Sequence, residues 1–305
     1  MKLTEIERSI LASFRANDKI PENIEPTDEN TLRVAMQTVL CIGNILREEK
    51  QRVDHLEKIR KPDGSIVTPL DVRVEEFSKK TMSAAFPSAN FIGEETGGNL
   101  EQAAYNVAVD PIDGSWSFVT HDSTSATSLC VYQNDRIVLG IVMNPSTGEV
   151  GYAVNDETTR LVQLSCFGEG DMSRTLPIQS PENCDDRIRI NIQPSKGHRK
   201  YEDALKDAWD KEEINFVKTS GGSPANSLLE AAKGYYIYIH PWELGPSSPF
   251  DLGAGIKLVE NAGGSVATLD GSRIEPIGHS GLFIAGINEM HLERVKSILK
   301  RSKSL

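Results

Sequence analysis

The sequence predicts a mixed α+β and α/β fold, on the basis of three patterns along its 305 residues. Apolar residues at helical spacing dominate the N-terminal part. Three segments with a two-residue period then follow one another closely, as in an antiparallel meander. In the C-terminal part, short apolar strands alternate with helices, which is typical of an α/β layer. We therefore expect an N-terminal half over residues 1–185 and a C-terminal half over residues 186–305.

Composition limits the partners of this chain. Asp and Glu number 44 against 33 Lys and Arg, which gives a net charge of −11. This balance argues against a nucleic-acid polymer or an anionic membrane surface as a partner. The four cysteines have no zinc-type spacing and are expected to be reduced thiols. Because we find no signal-type apolar segment and no run long enough to span a bilayer, we expect a cytoplasmic protein.

Helices are predicted in the N-terminal part from apolar periodicity. Residues 1–26 are expected to form a peripheral helix and a loop, which either pack on their own domain or contribute to a homodimer surface. A second helix is predicted over residues 27–47. Thr68 and Pro69 have the pattern of an N-cap and a first helical residue, with Asp71 in the first turn of a third helix. Thr68 and Asp71 can act as caps only or as part of a site, and the local sequence leaves both interpretations open.

The central stretch of the chain has the strongest functional pattern. A short apolar run predicts a buried strand that ends at Asp110 and Pro111, because proline cannot donate to a sheet. Asp113 and Gly114 predict a tight turn, and Ser115 is suited to cap a helix that follows. Two carboxylates are therefore expected at one strand-to-helix turn.

Glu94 follows an earlier short strand and can reach the same place. Three unpaired carboxylates would repel one another there and would be costly to bury. A hard divalent cation removes this conflict, and oxygen ligands favour Mg²⁺ or Mn²⁺. The N-terminus of the following helix is suited to bind an anion. A metal site beside an anion site indicates phosphate chemistry.

The rest of the chain supplies a meander and an alternating α/β segment. Meander strands are predicted over residues 126–132, 136–143 and 149–154, and residues 155–186 are expected to be an irregular junction between the halves. The elements predicted after this junction are strands at 187–192, 214–218, 235–239, 265–269 and 282–286, and helices at 201–210, 224–232, 252–262 and from 289 onwards. The glycine loop at 221–223 is a second candidate anion site, and Asp251 is most simply interpreted as an N-cap.

Five motifs, in this order, resemble those of the inositol monophosphatase superfamily, the magnesium-dependent and lithium-sensitive phosphatases. They occupy residues 61–71, 93–95, 110–115, 222–223, and 250–255 followed by 260–264. The resemblance extends from about residue 27 to residue 299. It implies a layered αβαβα sandwich, in agreement with the helices, meander and α/β segment predicted above.

The resemblance also implies roles for individual residues around two or three Mg²⁺ ions, or Mn²⁺ in their place. The residues implied to hold the ions are Glu94, Asp110 and the Ile112 carbonyl for a first ion, Asp110, Asp113 and Asp251 for a second, and Glu94 for a third. A water oriented by Glu94 and Ser115 would attack phosphorus, with Thr68 and Asp71 supporting Ser115. The residues implied to contact the substrate or its phosphate are Lys61, Asp113, Gly114, Ser115, Gly222, Ser223 and Glu243.

The sequence departs from the family pattern in positions that select the substrate. Ser115 stands where threonine is usual, so the hydroxyl is kept but the methyl group that restricts its rotamer is lost. Phe250 replaces a usual tryptophan, and the turn before Asp251 is longer. Glu243 is the nearest equivalent of the inositol-contacting glutamate, and residues 155–160 replace a glycine-rich segment.

The expected function is that of a phosphomonoesterase acting on a small phosphorylated metabolite similar to inositol 1-phosphate. Histidinol phosphate and 3′-phosphoadenosine 5′-phosphate are alternative substrates, the former because residues 113–118 look similar to histidinol-phosphatase relatives. A non-catalytic metal- or ligand-binding protein of the same fold is the alternative from another class. A Ser/His/Asp hydrolase is disfavoured, because the six histidines are scattered and none lies next to a nucleophile-like serine.

Overall fold

The computed structural model describes residues 2–62, 64–164, 171–178, 188–194, 199–219, 221–242 and 245–301. Within these ranges, two large β-sheets and eight α-helices form five layers. Helices lie between the two sheets and also cover the outer face of each sheet. The predicted αβαβα sandwich is therefore confirmed. The predicted boundary between residues 185 and 186 lies outside the described residues, as do Cys166 and Cys184.

The helices and strands agree in most places with the sequence prediction. The helices are α1 (Glu5–Arg15), α2 (Asp28–Lys50), α3 (Pro69–Ala85), α4 (Ser115–Val119), α5 (Arg199–Asp210), α6 (Pro224–Ala232), α7 (Pro249–Asn261) and α8 (Glu289–Arg301). The strands are β1 (Ile59–Arg60) and β2 (Ile66–Val67) in a hairpin, β3 (Asn90–Gly93), β4 (Asn106–Asp113), β5 (Ala126–Gln133), β6 (Arg136–Asn144), β7 (Glu149–Val154), β8 (Arg160–Gln163) and β9 (Met172–Thr175) in one sheet, and β10 (Arg189–Ile192), β11 (Phe216–Thr219), β12 (Ile237–Trp242), β13 (Ser265–Ala267) and β14 (Gly281–Gly286) in another. None of the helices in the described ranges is long and apolar enough to cross a membrane.

The seven-stranded sheet follows the chain from β3 to β9. Its first pair, β3 and β4, is parallel, and every later pair is antiparallel. One face packs against α1, α2 and α3, which bury the N-terminal apolar residues. The predicted irregular junction at 155–186 is wrong for β8 and β9, which extend the meander. Their sequences carry little apolar periodicity, and one side chain on each strand bonds to a distant residue, Glu7.

Glu7 joins the peripheral helix α1 to the outer strands of this sheet. Its carboxylate is 3% exposed and accepts hydrogen bonds from Tyr152 (2.8 Å), Arg160 (2.7 Å) and Ser173 (2.7 Å). Burial raises the pKa of Glu7, but Arg160, the Thr4 backbone N–H and the two hydroxyls outweigh it and lower the pKa to about 2. The ionised carboxylate therefore stabilises the folded protein.

Replacing Glu7 by glutamine is expected to lower the free energy of unfolding at pH 7 by about 2 kcal/mol, because charge-assisted hydrogen bonds are lost in a buried site. The folded pKa is below the ordinary value of 4.5. The contribution is thus present above about pH 4.5 and is lost as the pH falls towards about 2. Urea unfolding at pH 7 and pH 3 measures both effects. Equal stability of the two proteins at pH 7 would contradict this role, and Glu22→Gln is the exposed control.

The five-stranded sheet has mixed pairing. Strand β10 is parallel to β11 and β12, whereas β14 is antiparallel to β12 and β13. The carboxyl ends of β10, β11 and β12 therefore meet at one edge, where open α/β sheets bind ligands. Helices α6 and α7 pack between the two sheets, and α5 and α8 cover the outer face of this one.

Strand β4 continues past the point where the sequence predicts its end. It runs through Asp110 and Pro111 to Asp113, and its register against β5 shifts between the two aspartates. A β-bulge tolerates a proline because one residue there is released from the ladder. The prediction that the strand ends at Pro111 is therefore wrong, and the bulge places both aspartates on a single strand.

Two predicted helix caps are also wrong. Gly114 occupies the N-cap position of α4 with a φ of 84°, and Ser115 is the first helical residue, so its hydroxyl does not cap this helix. In α7 the N-cap is Ser248, and Asp251 lies three residues later, in the first turn. Asp251 still contributes to the cap from this position, because its carboxylate accepts from the Ser248 backbone N–H. The predicted cap Thr68 is confirmed, and Ser223 and Asn288 cap α6 and α8.

Candidate active site

Four carboxylates lie together where β3, β4 and α7 meet. Asp110 and Asp113 are on β4 and are 6% and 8% exposed. Glu94 follows β3, and Asp251 is in the first turn of α7. The charges of the other three carboxylates all act on Asp110. The structure therefore brings together the four acidic side chains that the sequence analysis selected.

This concentration of acidic groups changes their protonation. Burial, followed by the charges of Glu94 and Asp113, raises the pKa of Asp110 well above its usual range. Burial raises the pKa of Asp113 to about 8, although Ser223 and the Ala225 N–H oppose the shift. Burial also raises the pKa of Asp251 to about 7. Near pH 7, the protein alone therefore cannot keep all of these carboxylates fully ionised.

Each carboxylate is held by its own donors. The Asp113 Oδ2 atom accepts from the Ser223 hydroxyl (2.5 Å) and from the Ala225 N–H (2.7 Å) at the start of α6. The Asp251 Oδ2 atom accepts from the Ser248 N–H (2.5 Å). The Asp110 Oδ1 atom accepts from the N–H of Ile112 (2.9 Å). These bonds orient the acidic side chains separately.

Lys61 brings a positive charge to this acidic group. Its Nζ atom lies 3.0 Å from Glu94 and 2.6 Å from Glu95. Burial lowers the pKa of Lys61, but the hydrogen bond to Glu95 and the charge of Glu94 outweigh burial and raise it. Lys61 therefore stays protonated, and it neutralises only part of the negative charge.

The donor chemistry of this site fits hard divalent cations. Carboxylate oxygens and a nearby backbone carbonyl are the ligands that Mg²⁺ and Mn²⁺ prefer, and bound cations would offset the burial, and the repulsion that adds to it, which raise the pKa values of the three aspartates. Across the part of the chain that the structure describes, however, no three acidic, histidine or cysteine side chains already surround one point as ligands. The carboxylates are neighbours without forming a complete coordination shell.

A chain of hydrogen bonds joins Ser115 to the start of α3. The Ser115 hydroxyl donates towards Asp71 Oδ1 (2.8 Å) and lies 3.1 Å from the Ile112 carbonyl oxygen. Asp71 Oδ2 accepts from the Thr68 hydroxyl (2.6 Å) and N–H (2.8 Å). Burial raises the pKa of Asp71 despite these bonds. Thr68 and Asp71 thus cap α3, and Asp71 also contacts Ser115, so the capping role is confirmed and the role in a site stays a prediction.

The glycine loop before α6 packs directly against α4. The Gly221 carbonyl accepts from Thr124 (2.9 Å) and Ser117 (3.3 Å). Gly222 has a φ of 138°, and a Cβ there would lie 2.2 Å from the Thr124 hydroxyl oxygen, so only glycine fits. The Ser223 side chain is 1% exposed. Its hydroxyl caps α6 and donates to Asp113. Its role as a substrate contact stays a prediction, and Glu243 lies outside the described residues.

Glu75 is a site residue that sequence analysis missed. Its side chain is fully buried and accepts from the N–H groups of Glu95 (2.8 Å) and Thr96 (2.7 Å). A Cβ on Gly93 would lie 2.1 Å from the Glu75 carboxylate, so this glycine allows the contact. Glu75 therefore fixes the turn that carries Glu94. The available signal was a carboxylate four residues after Asp71, on the buried face of α3.

Comparison with known families identifies this chain. The family model described as the inositol monophosphatase family matches residues 27–304. The chain belongs to this family. An inositol-1-monophosphatase from Mesorhizobium japonicum is 25% identical over 278 residues, which cover 88% of this chain and 96% of that protein. A fructose-1,6-bisphosphatase/inositol-1-monophosphatase from Thermotoga maritima is 24% identical over 257 residues, which cover 84% of this chain and 91% of that protein.

Solved structures agree with the inositol monophosphatase fold. The native crystal structure of extragenic suppressor protein suhB from Bartonella henselae aligns with a TM-score of 0.71 and 23% identity, covering 89% of this chain and 98% of that one. At this identity the likeness shows the fold alone. The family and fold implied by the resemblance of the motifs are both confirmed, and the relatives that are named as phosphatases support phosphatase chemistry.

Proposed function

We propose that this protein is a Mg²⁺-dependent phosphomonoesterase that hydrolyses a small phosphorylated metabolite similar to inositol 1-phosphate. The observation that supports this most directly is the group of four interacting carboxylates around the buried Asp110, in a chain of a phosphatase family. An acidic group of this kind repels an anionic substrate unless cations are bound. Cation binding and phosphate binding are therefore two parts of one proposal.

The residues present provide ligands for two or three Mg²⁺ or Mn²⁺ ions. Those proposed to hold them are Glu94, Asp110 and the Ile112 carbonyl for a first ion, Asp110, Asp113 and Asp251 for a second, and Glu94 for a third. When bound, such ions lower the pKa of water and neutralise charge on phosphate and on the leaving oxygen.

Ser115 and Asp71 are proposed to receive the proton of the attacking water. The Ser115 hydroxyl donates to Asp71, so its lone pairs can accept from a water held beside Glu94. As the water oxygen bonds to phosphorus and the ester P–O bond breaks, a proton can pass from the water through Ser115 to Asp71, and the leaving alkoxide takes a proton from solvent water. Thr68 keeps the Asp71 carboxylate in this orientation through two hydrogen bonds.

Phosphate and leaving group are proposed to lie on either side of the β4–α4 turn. The N–H groups of Gly114 and Ser115 would bind phosphate oxygens, and the Lys61 ammonium would add a positive charge at the entrance of the proposed active site. The proposed substrate contacts are Asp113, residues 222–223 and Glu243. We also propose that the protein is cytoplasmic, that it forms a homodimer, and that neither a nucleic acid nor a membrane is its partner.

A substrate panel tests the proposed reaction. Phosphate release is measured with inositol 1-phosphate, histidinol phosphate, 3′-phosphoadenosine 5′-phosphate and fructose 1,6-bisphosphate, each with Mg²⁺, with EDTA and with added Li⁺. We expect Mg²⁺-dependent, Li⁺-inhibited release that is fastest with inositol 1-phosphate. Cation binding without release from any of the four would instead favour a binding protein of the same fold.

Cation affinity is expected to increase with pH. The pKa values of Asp113 and Asp251 are raised to about 8 and about 7, whereas cations bind the ionised carboxylates. Protons must therefore leave as the ions bind, and the affinity should rise by roughly tenfold or more between pH 6 and pH 8 and then level off. Calorimetry with Mn²⁺ in buffers of different ionisation enthalpy measures the affinity and the released protons. Binding that is independent of pH, without proton release, would disprove this linkage.

A further inference from the structure

Strand β5 presents three buried hydrogen-bond donors to the first turn of α7. Ser128, Cys130 and Tyr132 alternate along the strand, so their side chains lie on one face. Tyr132 donates to the Pro249 carbonyl (2.7 Å), and Cys130 donates to the same oxygen (3.3 Å). Ser128 donates to the next carbonyl, that of Phe250 (3.3 Å). Three side chains thus hold two adjacent carbonyls immediately before Asp251.

These donors remain protonated at neutral pH. Burial raises the pKa of Cys130 to about 12 and raises the pKa of Tyr132 still further. In an α-helix, the carbonyls at Pro249 and Phe250 already accept from N–H groups four residues later. The bonds from β5 are therefore not needed to complete the helix. Their effect is to fix where the first turn of α7 lies against the sheet.

Gly253 allows α7 to approach β5 this closely. A Cβ at this position would lie 2.3 Å from the Tyr132 hydroxyl oxygen and 2.9 Å from the Cys130 sulfur. Real Cβ atoms do not come that close to other heavy atoms, so a larger residue would push the helix away from the strand. The Tyr132 hydroxyl is thus packed against α7 as well as hydrogen-bonded to it.

The same strand also fixes the other aspartates of the acidic group. In the β4–β5 ladder, Ser128 lies opposite Asp110 and Ala126 lies opposite Asp113. Backbone pairing therefore sets the position of Asp110 relative to β5, and the side-chain bonds of β5 set the position of Asp251. We infer that Tyr132 is a positioning residue of the proposed cation site, which holds Asp251 in place beside Asp110 so that both can bind one ion.

This inference rests on the proposed function, and Mn²⁺ binding tests it without an activity assay. Tyr132→Phe removes the hydroxyl and keeps the ring. Tyr152→Phe is the matched control, because Tyr152 is also buried and its hydroxyl contacts Glu7 at the far side of the sheet. Electron paramagnetic resonance of free Mn²⁺ gives the number of bound ions and their Kd values. Thermal unfolding of each variant measures the change in stability.

We expect the wild-type protein and the Tyr152→Phe variant each to bind at least two Mn²⁺ ions. The Kd of each ion should be the same in the two proteins. Tyr132→Phe should keep the first ion and bind the second about tenfold more weakly, as when groups that orient a metal ligand are removed. Ser128→Ala combined with Cys130→Ala, which leaves the tyrosine intact, should weaken the second ion about threefold and provides the test if Tyr132→Phe does not fold.

Equal affinity for the second ion in the Tyr132→Phe and Tyr152→Phe variants would overturn the positioning role while leaving the proposed function intact. A wild-type protein that binds fewer than two Mn²⁺ ions would overturn the proposed function, and the inference with it. A lower melting temperature of Tyr132→Phe with unchanged Kd values would show a structural role only, and this too would overturn the inference.

Discussion

Replacing Asp110 by asparagine is expected to lower kcat for phosphate release by about 1,000-fold, equivalent to ~4 kcal/mol of transition-state stabilisation. Asp110 is the carboxylate on which the charges of Glu94, Asp113 and Asp251 all act. The amide is nearly the same size but carries no charge, so it cannot serve as an anionic ligand shared by two cations. Steady-state kinetics of phosphate release at saturating Mg²⁺ measures the effect.

The matched control for this variant is Asp156→Asn. Asp156 is 83% exposed and pairs only loosely with Arg136 and Lys257. Its replacement should leave kcat within about twofold of wild type, because exposed ion pairs contribute little. An Asp110→Asn protein with wild-type kcat and a normal melting temperature would exclude Asp110 as a shared ligand.

Ser115→Ala is expected to lower kcat by about 100-fold, the usual range for losing a group that transfers a proton. The hydroxyl is the link between the cleft and Asp71, and alanine cannot replace it. Ser115→Thr, in contrast, restores the residue usual in the family and should keep or increase kcat, because its methyl group restricts the hydroxyl rotamer. Comparing kcat and KM for the three proteins separates this effect from weaker substrate binding.

Thr120→Ala controls for loss of a hydroxyl from the same short helix. Within the described residues, the Thr120 hydroxyl bonds to two carbonyls of α4, those of Trp116 and Ser117, and it lies at the opposite end of the helix from Ser115. Its removal should leave kcat nearly unchanged. If Ser115→Ala and Thr120→Ala have the same kcat, the proton path through Ser115 is wrong.

Local sequence signals predicted most helices and the central meander. Thr68 and Pro69 marked the start of α3 because their cap and φ preferences act within one turn. In contrast, β8 and β9 were missed because their short sequences carry little apolar periodicity, and the buried carboxylate that Arg160 and Ser173 contact, that of Glu7, is distant in sequence. The continuation of β4 through Pro111 was missed because a bulge depends on the register of the neighbouring strand.

The acidic side chains of the site were predictable from composition and order, but their supports were not. Glu94, Asp110 and Asp113 were recognisable beside strand ends, whereas Asp251 was interpreted locally as an N-cap and joined them only through the resemblance to the family. Some of the donors that orient them come from other parts of the fold, such as Ser223 bonding to Asp113 across 110 residues. Tyr132 is similar, because its hydroxyl acts on α7, 117 residues later. No local pattern reveals such contacts before the layers are assembled.

A crystal structure of the protein grown with Mn²⁺ and orthophosphate tests the central claim most directly, because anomalous scattering locates each Mn²⁺ ion. We predict at least two ions in contact with oxygens of Glu94, Asp110, Asp113 and Asp251, with Asp110 bound to both and phosphate near the Gly114 and Ser115 N–H groups. Ions bound elsewhere, or a fully protonated carboxylate group without any ion at saturating Mn²⁺, would contradict the assignment of this site as the centre of a metal-dependent phosphatase.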